Sequence, residues 1–137
     1  MDTLAVLLAV NGLAVLLYSS LVGLTLARTL YQGQSTGHWH LLHAGGTSRG
    51  VMLLALAATI RFTELPVLHL FWATGLITFF VWTSVLAMTL RAITGQKGFH
   101  IGGPPANLVV FGLYACGVVA FSIGLIWLIV GLLSALP

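Results

Sequence analysis

The chain has 137 residues, of which 59% are hydrophobic, and it carries only five basic and two acidic side chains. A water-soluble domain of this size needs more polar surface than that, and a nucleic-acid interface needs more basic residues. The composition therefore predicts an all-α integral membrane protein, a four-helix bundle forming one transmembrane domain over residues 1–137, and it excludes binding to nucleic acid.

The sequence contains four stretches that we expect to cross the bilayer, which takes about 20 mostly apolar residues. In chain order they cover about residues 4–27, 43–62, 65–90 and 106–136. The second is unusual, because its purely apolar part, residues 51–60, is too short to cross. This span must therefore begin near His43, which places Thr47 and Arg49 below the membrane interface.

Two connections, residues 28–42 and 91–105, are longer than the others and lie on the same side of the membrane in a four-helix hairpin topology. That side carries three basic residues, namely Arg28, Arg91 and Lys97. Arg61 stands alone on the other side. The positive-inside rule therefore predicts a multi-pass protein, in a bacterial inner membrane, with both long loops in the cytoplasm.

The segment from Gly37 to Gly50 holds most of the chemistry that the chain offers. It contains three of the five histidines, namely His38, His40 and His43, and His100 lies in the other long loop on the same face. Imidazole suits zinc, copper and haem iron, so a copper or zinc site at these four histidines is one possibility. Asp2 and Glu64 belong to the opposite face, which argues against a carboxylate-rich metal site.

The residues after His43 allow more than one interpretation each. Gly46 and Gly50 form a small-xxx-small pair that suits close helix packing, or a wall without side chains against a flat macrocycle. Arg49 costs several kcal/mol at intermediate depth unless it is paired or snorkels, about 2.5–3.5 kcal/mol on insertion scales. It either reaches back toward the long loops, pairs with an anion such as a haem propionate, or donates to a substrate oxygen. Met88 is a soft axial ligand or fills a gap.

Residues 43–52, His-Ala-Gly-Gly-Thr-Ser-Arg-Gly-Val-Met, resemble the second-helix motif of styrene oxide isomerases. The spacing of His43 and Gly50 is also similar to that of the small hydroxylaminobenzene mutases. The likeness extends through Trp82, the loop at residues 97–99 and the glycine at position 102. It implies a homotrimeric membrane bundle with haem b between neighbouring subunits and His43 as the axial ligand.

We therefore expect two groups of site residues. Those expected to bind the cofactor are His43, Gly46, Gly50, Trp82 and Met88, with His43 as the metal ligand. Those expected to take part in catalysis are Arg49 and Thr47. The sequence departs from the family at two of these positions, since Arg49 replaces an asparagine that helps to orient the substrate and Met88 replaces an important tyrosine.

The leading hypothesis is a haem-dependent isomerase or mutase acting on a small apolar substrate. In the isomerases that the chain resembles, ferric iron acts as a Lewis acid on an epoxide oxygen, and the rearrangement yields an aldehyde. The corresponding substrate here is an epoxide or an N-hydroxy compound. One alternative is a b-type electron-transfer subunit, with His43 paired to Met88 or to a neighbour's histidine. Another is a non-catalytic accessory subunit of a larger membrane complex.

Overall fold

The computed structural model describes residues 2–137 and consists of four long helices. They are α1 (Asp2–Tyr31), α2 (Gly37–Thr59), α3 (Val67–Thr94) and α4 (Pro105–Leu133), and one 3₁₀ turn at Ile60–Phe62 extends α2. Each of the four is long and apolar enough to cross a membrane. The predicted all-α membrane bundle is therefore confirmed.

The first connection differs most from the prediction. Instead of a loop over residues 28–42, α1 continues to Tyr31 and α2 already begins at Gly37. The reason is that no glycine or proline interrupts the end of α1 before Gly33, where the chain turns with a φ of 68°. Glycine adopts this conformation without a steric cost, because it has no Cβ. The first and second helices are thus joined by a tight turn rather than by a long loop.

The early start of α2 changes the position of two histidines. His38 and His40, predicted to lie in the loop, belong to the first turns of α2. The Nδ1 atom of His38 lies 3.0 Å from the carbonyl oxygen of Arg91, near the end of α3. A carbonyl oxygen can only accept, so the imidazole donates this hydrogen bond. It ties the beginning of α2 to the last turn of α3.

The helices pack as two hairpins, α1 with α2 and α3 with α4, and the contact between α2 and α3 joins them. Within the described residues, α4 makes no more than slight contact with α1 or α2. Fully buried side chains from all four helices form the core, among them Val15, Leu42, Leu70 and Val110. The bundle is therefore closed between α1 and α2 and open between α2 and α4.

Glycines set the distance between the paired helices. A Cβ on Gly12 would lie 2.9 Å from the carbonyl oxygen of Gly50, and one on Gly50 would lie 2.7 Å from Cγ of Leu16. In the other hairpin, a Cβ on Gly124 would lie 2.7 Å from the carbonyl oxygen of Ala73. Lipid tails are as apolar as leucine, so membrane helices associate largely through such close packing. The two hairpins are stabilised in the same way.

The connection between α3 and α4 is held by one buried side chain, that of Asn107. Its Oδ1 accepts from the backbone N–H of Gly98 at 2.8 Å. Its Nδ2 donates to the carbonyl oxygens of His100 at 2.9 Å and of Gly102 at 2.8 Å. Three hydrogen bonds from one amide therefore fasten this connection to the first turn of α4.

Candidate functional site

The imidazole of His43 lies half-buried in the contact between α1 and α2. Its Nδ1 is 2.8 Å from the carbonyl oxygen of Ser19. Because a carbonyl oxygen has no proton to give, Nδ1 carries the proton and donates, which leaves the lone pair of the neutral ring on Nε2. Among residues 2–137, no hydrogen bond to Nε2 is found. Histidines that bind metals commonly have this arrangement, with one ring nitrogen fixed by a carbonyl and the other free.

The backbone around His43 is held by two hydroxyl groups. Ser19 Oγ donates to the carbonyl oxygen of His43 at 2.6 Å, and Thr47 Oγ1 donates to the same oxygen at 2.9 Å. Gly23 makes room for the ring, since a Cβ there would lie 3.0 Å from Cε1 of His43. Thr47 therefore lies beside the backbone of His43, and its expected part in catalysis stays a prediction.

Gly46 and Gly50 both face α1. A Cβ on Gly46 would lie 3.1 Å from Oγ of Ser19, and Gly50 packs against α1 in the same way one turn later. Of the two interpretations of this pair, close helix packing is the one that the structure displays. A role of these glycines in haem binding stays a prediction.

A cavity of about 770 Å³ lies on the opposite side of α2, between α2, α3, α4 and the α3–α4 connection. This volume is in the range of small-molecule sites in proteins. Its wall is apolar except for the side chains of Arg49, Arg91 and Tyr114. Gly45 of α2 and Met88 of α3 also line it, and they lie next to each other where these two helices meet. The space between α2 and α4 is therefore a cavity at the level of the membrane-spanning helices, and three polar side chains line it.

Arg49 occupies the middle of α2, and its side chain runs back toward the start of the helix. Nη1 donates to the carbonyl oxygen of Gly45, one turn earlier, at 3.0 Å. The guanidinium carbon lies 5.3 Å from the centre of the Phe80 ring, within the range of a cation–π contact. Gly45 is needed for this course, because a Cβ there would lie 3.0 Å from Nη1 and 2.7 Å from Sδ of Met88.

A second guanidinium, that of Arg91, lines the same cavity. Its central carbon is 5.2 Å from the centre of the Phe99 ring. The Nε atoms of Arg49 and Arg91 are both buried and have no hydrogen-bond partner among residues 2–137. Tyr114 lines the same cavity as both guanidinium groups. The cavity therefore combines two cations and one hydroxyl with an apolar wall.

The structure divides the expected cofactor residues among three places. His43, Gly46 and Gly50 lie in the α1–α2 contact. Met88 lines the cavity on the other side of α2. Trp82 donates from Nε1 to Oδ1 of Asn11, at 2.9 Å, between α3 and α1. Within one protomer, His43 and Met88 are therefore not placed as a pair of axial ligands.

The four histidines considered for copper or zinc are also apart. Among residues 2–137, no three histidine, cysteine or acidic side chains are close enough to hold a metal ion together. His38 bonds to α3 and His43 to α1, as described above. The copper or zinc site therefore stays a prediction, and the described residues of one protomer do not bring its ligands together.

Three residues that shape the cavity and its edge were not predicted from the sequence, namely Arg91, Asn107 and Tyr114. Arg91 was interpreted only as a topology signal at the end of a span. Tyr114 gave no usable signal, because α4 is apolar on every side and its sequence does not show which face lines a cavity. The amide of Asn107, just after Pro104-Pro105 at a membrane edge, was a signal that could have been used.

The family model of styrene oxide isomerase matches residues 4–133, nearly the whole chain. No curated protein and no solved structure matched. The resemblance seen in residues 43–52 is therefore confirmed, and with it an isomerase type of membrane protein. The chain belongs to the styrene oxide isomerase family.

Proposed function

We propose that this protein binds haem b through His43 and isomerises a small apolar epoxide or N-hydroxy compound. The observation that carries the proposal is the hydrogen bond from Nδ1 of His43 to the carbonyl oxygen of Ser19. It leaves Nε2, the nitrogen that would ligate iron, without a partner among the described residues. The donor set fits a haem with one protein ligand, because Met88 lies on the other side of α2.

When bound, haem b would supply a Lewis acid with an open position for a substrate oxygen. The chain's own residues would do the rest. Ser19 and Thr47 fix the backbone that carries His43, and Gly23 leaves space for its ring. Arg49 is our candidate to donate a hydrogen bond to the substrate oxygen; because it lies on the other side of α2 from His43, the Arg49 that reaches a haem between subunits would belong to the neighbouring protomer. Such a bond is stronger where little water competes for the donor.

Two further parts of the proposal concern the whole assembly. We infer a homotrimer, as the family resemblance implies, and cytoplasmic placement of the two connections on the side of Arg28, Arg91 and Lys97. Native mass spectrometry of the detergent-solubilised protein tests the trimer. Labelling of a cysteine introduced at Gln96, in intact cells, tests the orientation. Both tests are independent of the haem.

The decisive measurement is the ultraviolet–visible spectrum of the purified protein. We expect a haem Soret band that changes when an epoxide or an arylhydroxylamine is added, and loss of that band in the His43→Ala variant. His69→Ala is the matched control, because His69 is exposed, near the other end of the bundle, with its ring edge-on to Trp127. A colourless wild type, or equal loss of the band in both variants, would contradict the proposal. A low-spin, ligand-resistant band would select the electron-transfer alternative.

A further inference from the structure

The cavity between α2 and α4 holds two positive charges that the protein does not neutralise. Arginine stays protonated in proteins, so Arg49 and Arg91 are cationic at any physiological pH. The chain has only two acids, Asp2 and Glu64. Asp2 begins α1 and Glu64 lies between α2 and α3, so both are at the end of the bundle away from Arg91. No carboxylate of this chain is therefore available to pair with either guanidinium.

The two guanidinium groups also have unused donors. In Arg49, Nη1 donates to the carbonyl oxygen of Gly45, but Nε is buried and unpaired, and no hydrogen bond from Nη2 is found among the described residues. The N–H bonds of Nε and Nη2 lie in the guanidinium plane and point outward along the same edge, which is the edge that binds a carboxylate with two parallel hydrogen bonds. Nε of Arg91 is buried and unpaired as well.

A buried donor or charge without a partner raises the free energy of the protein. A ligand that pairs with both removes this cost, which favours its binding. Aromatic rings meet one side of each guanidinium, Phe80 for Arg49 and Phe99 for Arg91. These rings restrict where the guanidinium groups can go, and they do not replace a hydrogen-bond acceptor. Another polar side chain, that of Tyr114, lines the same cavity as both cations.

We propose that this cavity binds an amphiphilic anion, with an anionic oxygen group held by Arg49 and Arg91 and an apolar body against the wall. The apolar body would contact the rest of the wall, which consists of apolar side chains such as Leu41, Phe111, Val118 and Val119. The cavity of about 770 Å³ has room for both parts of such a ligand. A ligand of this class is either a free organic acid or an anionic membrane lipid.

This inference concerns the cavity in which the proposed function places the substrate oxygen, and it names the charge of the ligand. The anion it names differs from the uncharged substrate proposed above, so the inference does not rest on the proposed function. His43 faces α1, on the other side of α2. A binding measurement therefore needs neither turnover nor haem, and it can succeed or fail separately from the spectrum described above.

The test is a titration of the full-length protein in phosphatidylcholine nanodiscs with decanoate, and with decanol as the uncharged probe of the same chain length. We expect decanoate to bind at least about tenfold more tightly than decanol, because a guanidinium forms stronger hydrogen bonds with a charged carboxylate than with a neutral hydroxyl. Arg49→Gln and Arg91→Gln should each remove most of this preference. Arg61→Gln is the matched control, because Arg61 is exposed at the opposite end of the bundle, beside Phe62.

A second arm distinguishes the two sources of the anion. Nanodiscs that contain phosphatidylglycerol are analysed by native mass spectrometry, which detects retained lipid. Phosphatidylglycerol retained by the wild type and lost from the Arg49→Gln variant supports the lipid as the ligand. Decanoate binding that is unaffected by phosphatidylglycerol supports a free acid.

Three results would overturn the proposal. They are equal affinity for decanoate and decanol, an unchanged preference in both arginine variants, and an equal loss in Arg61→Gln. Circular dichroism and size-exclusion chromatography report whether each variant is folded. If Arg49→Gln does not fold, Arg91→Gln carries the test alone, since Arg91 is in the last turn of α3.

Discussion

The two sides of α2 have opposite characters. Toward α1 the helix is packed backbone against backbone, with Gly46 and Gly50 in the contact and the His43 ring bonded to Ser19. Toward α4 it borders a cavity of about 770 Å³, into which Arg49 brings a charge. One helix thus presents a rigid surface and an open one. The comparison shows that the glycines of a single motif can serve different purposes, because Gly45 leaves space for a guanidinium whereas Gly46 leaves space for a helix.

The rigid side is most directly disturbed by Gly50→Ala. The added Cβ would lie 2.7 Å from Cγ of Leu16 and 2.9 Å from the carbonyl oxygen of Gly12, and a backbone atom cannot move aside without moving α1. We expect a loss of about 1–3 kcal/mol in the free energy of unfolding, which is the usual cost of overpacking. Reversible unfolding in mixed detergent micelles, followed by circular dichroism, measures it.

Gly75→Ala is the control for this variant, because a Cβ on Gly75 would meet no atom within 4 Å. Its stability should stay the same or rise slightly, since alanine is the better helix former. If both variants lost the same free energy, the close contact of α1 with α2 would not be what Gly50 provides.

A smaller effect is expected where α3 meets α1. Trp82→Phe removes the hydrogen bond from Nε1 to Asn11 and leaves the amide oxygen without this partner. Hydrogen bonds between membrane helices contribute about 0.6 kcal/mol on average, so we expect a loss near that size in the same unfolding assay. Trp72→Phe, at an exposed position on α3, should have no measurable effect. Equal losses would assign the change to ring size and not to the hydrogen bond.

The smallest change in stability is expected on the open side, for Gly45→Ala. The nearest atoms to the added Cβ are the ends of two flexible side chains, Sδ of Met88 and Nη1 of Arg49, which can move into the cavity. We expect a net loss below about 0.5 kcal/mol in unfolding free energy, because the better helix propensity of alanine offsets part of the overpacking. Decanoate binding should nevertheless weaken, because the guanidinium has to leave its present course. A variant as unstable as Gly50→Ala would remove the contrast between the two sides.

The sequence was sufficient to predict the helix count and the membrane class, because length and apolar composition determine both. It also indicated the family, since the spacing from His43 to Gly50 lies within one helix and does not depend on tertiary contacts. The direction of each side chain around α2 was harder to predict. His43 and Arg49 are six positions apart, and a polar residue in an apolar helix does not show which neighbouring helix it faces.

The cavity itself could not be predicted from the sequence, for a physical reason. It exists because α4 packs along α3 and not along α2, and α4 is too uniformly apolar for its sequence to specify that choice. Arg91 and Tyr114 meet there only after α3 and α4 have paired. Residues that belong to one helix turn were therefore predictable as a set, whereas residues brought together by the pairing of helices were not.

The three hydrogen bonds of Asn107 have a consequence for how molecules reach the interior. They anchor the segment that carries Gly98 and Phe99 across the aqueous end of the cavity, and opening it there would break bonds of about 0.5–1.5 kcal/mol each. Val118 and Val119, which are exposed on α4, form another border of the cavity. We therefore expect apolar ligands to enter between the helices from the bilayer, so that each added methylene improves the apparent affinity by about fourfold.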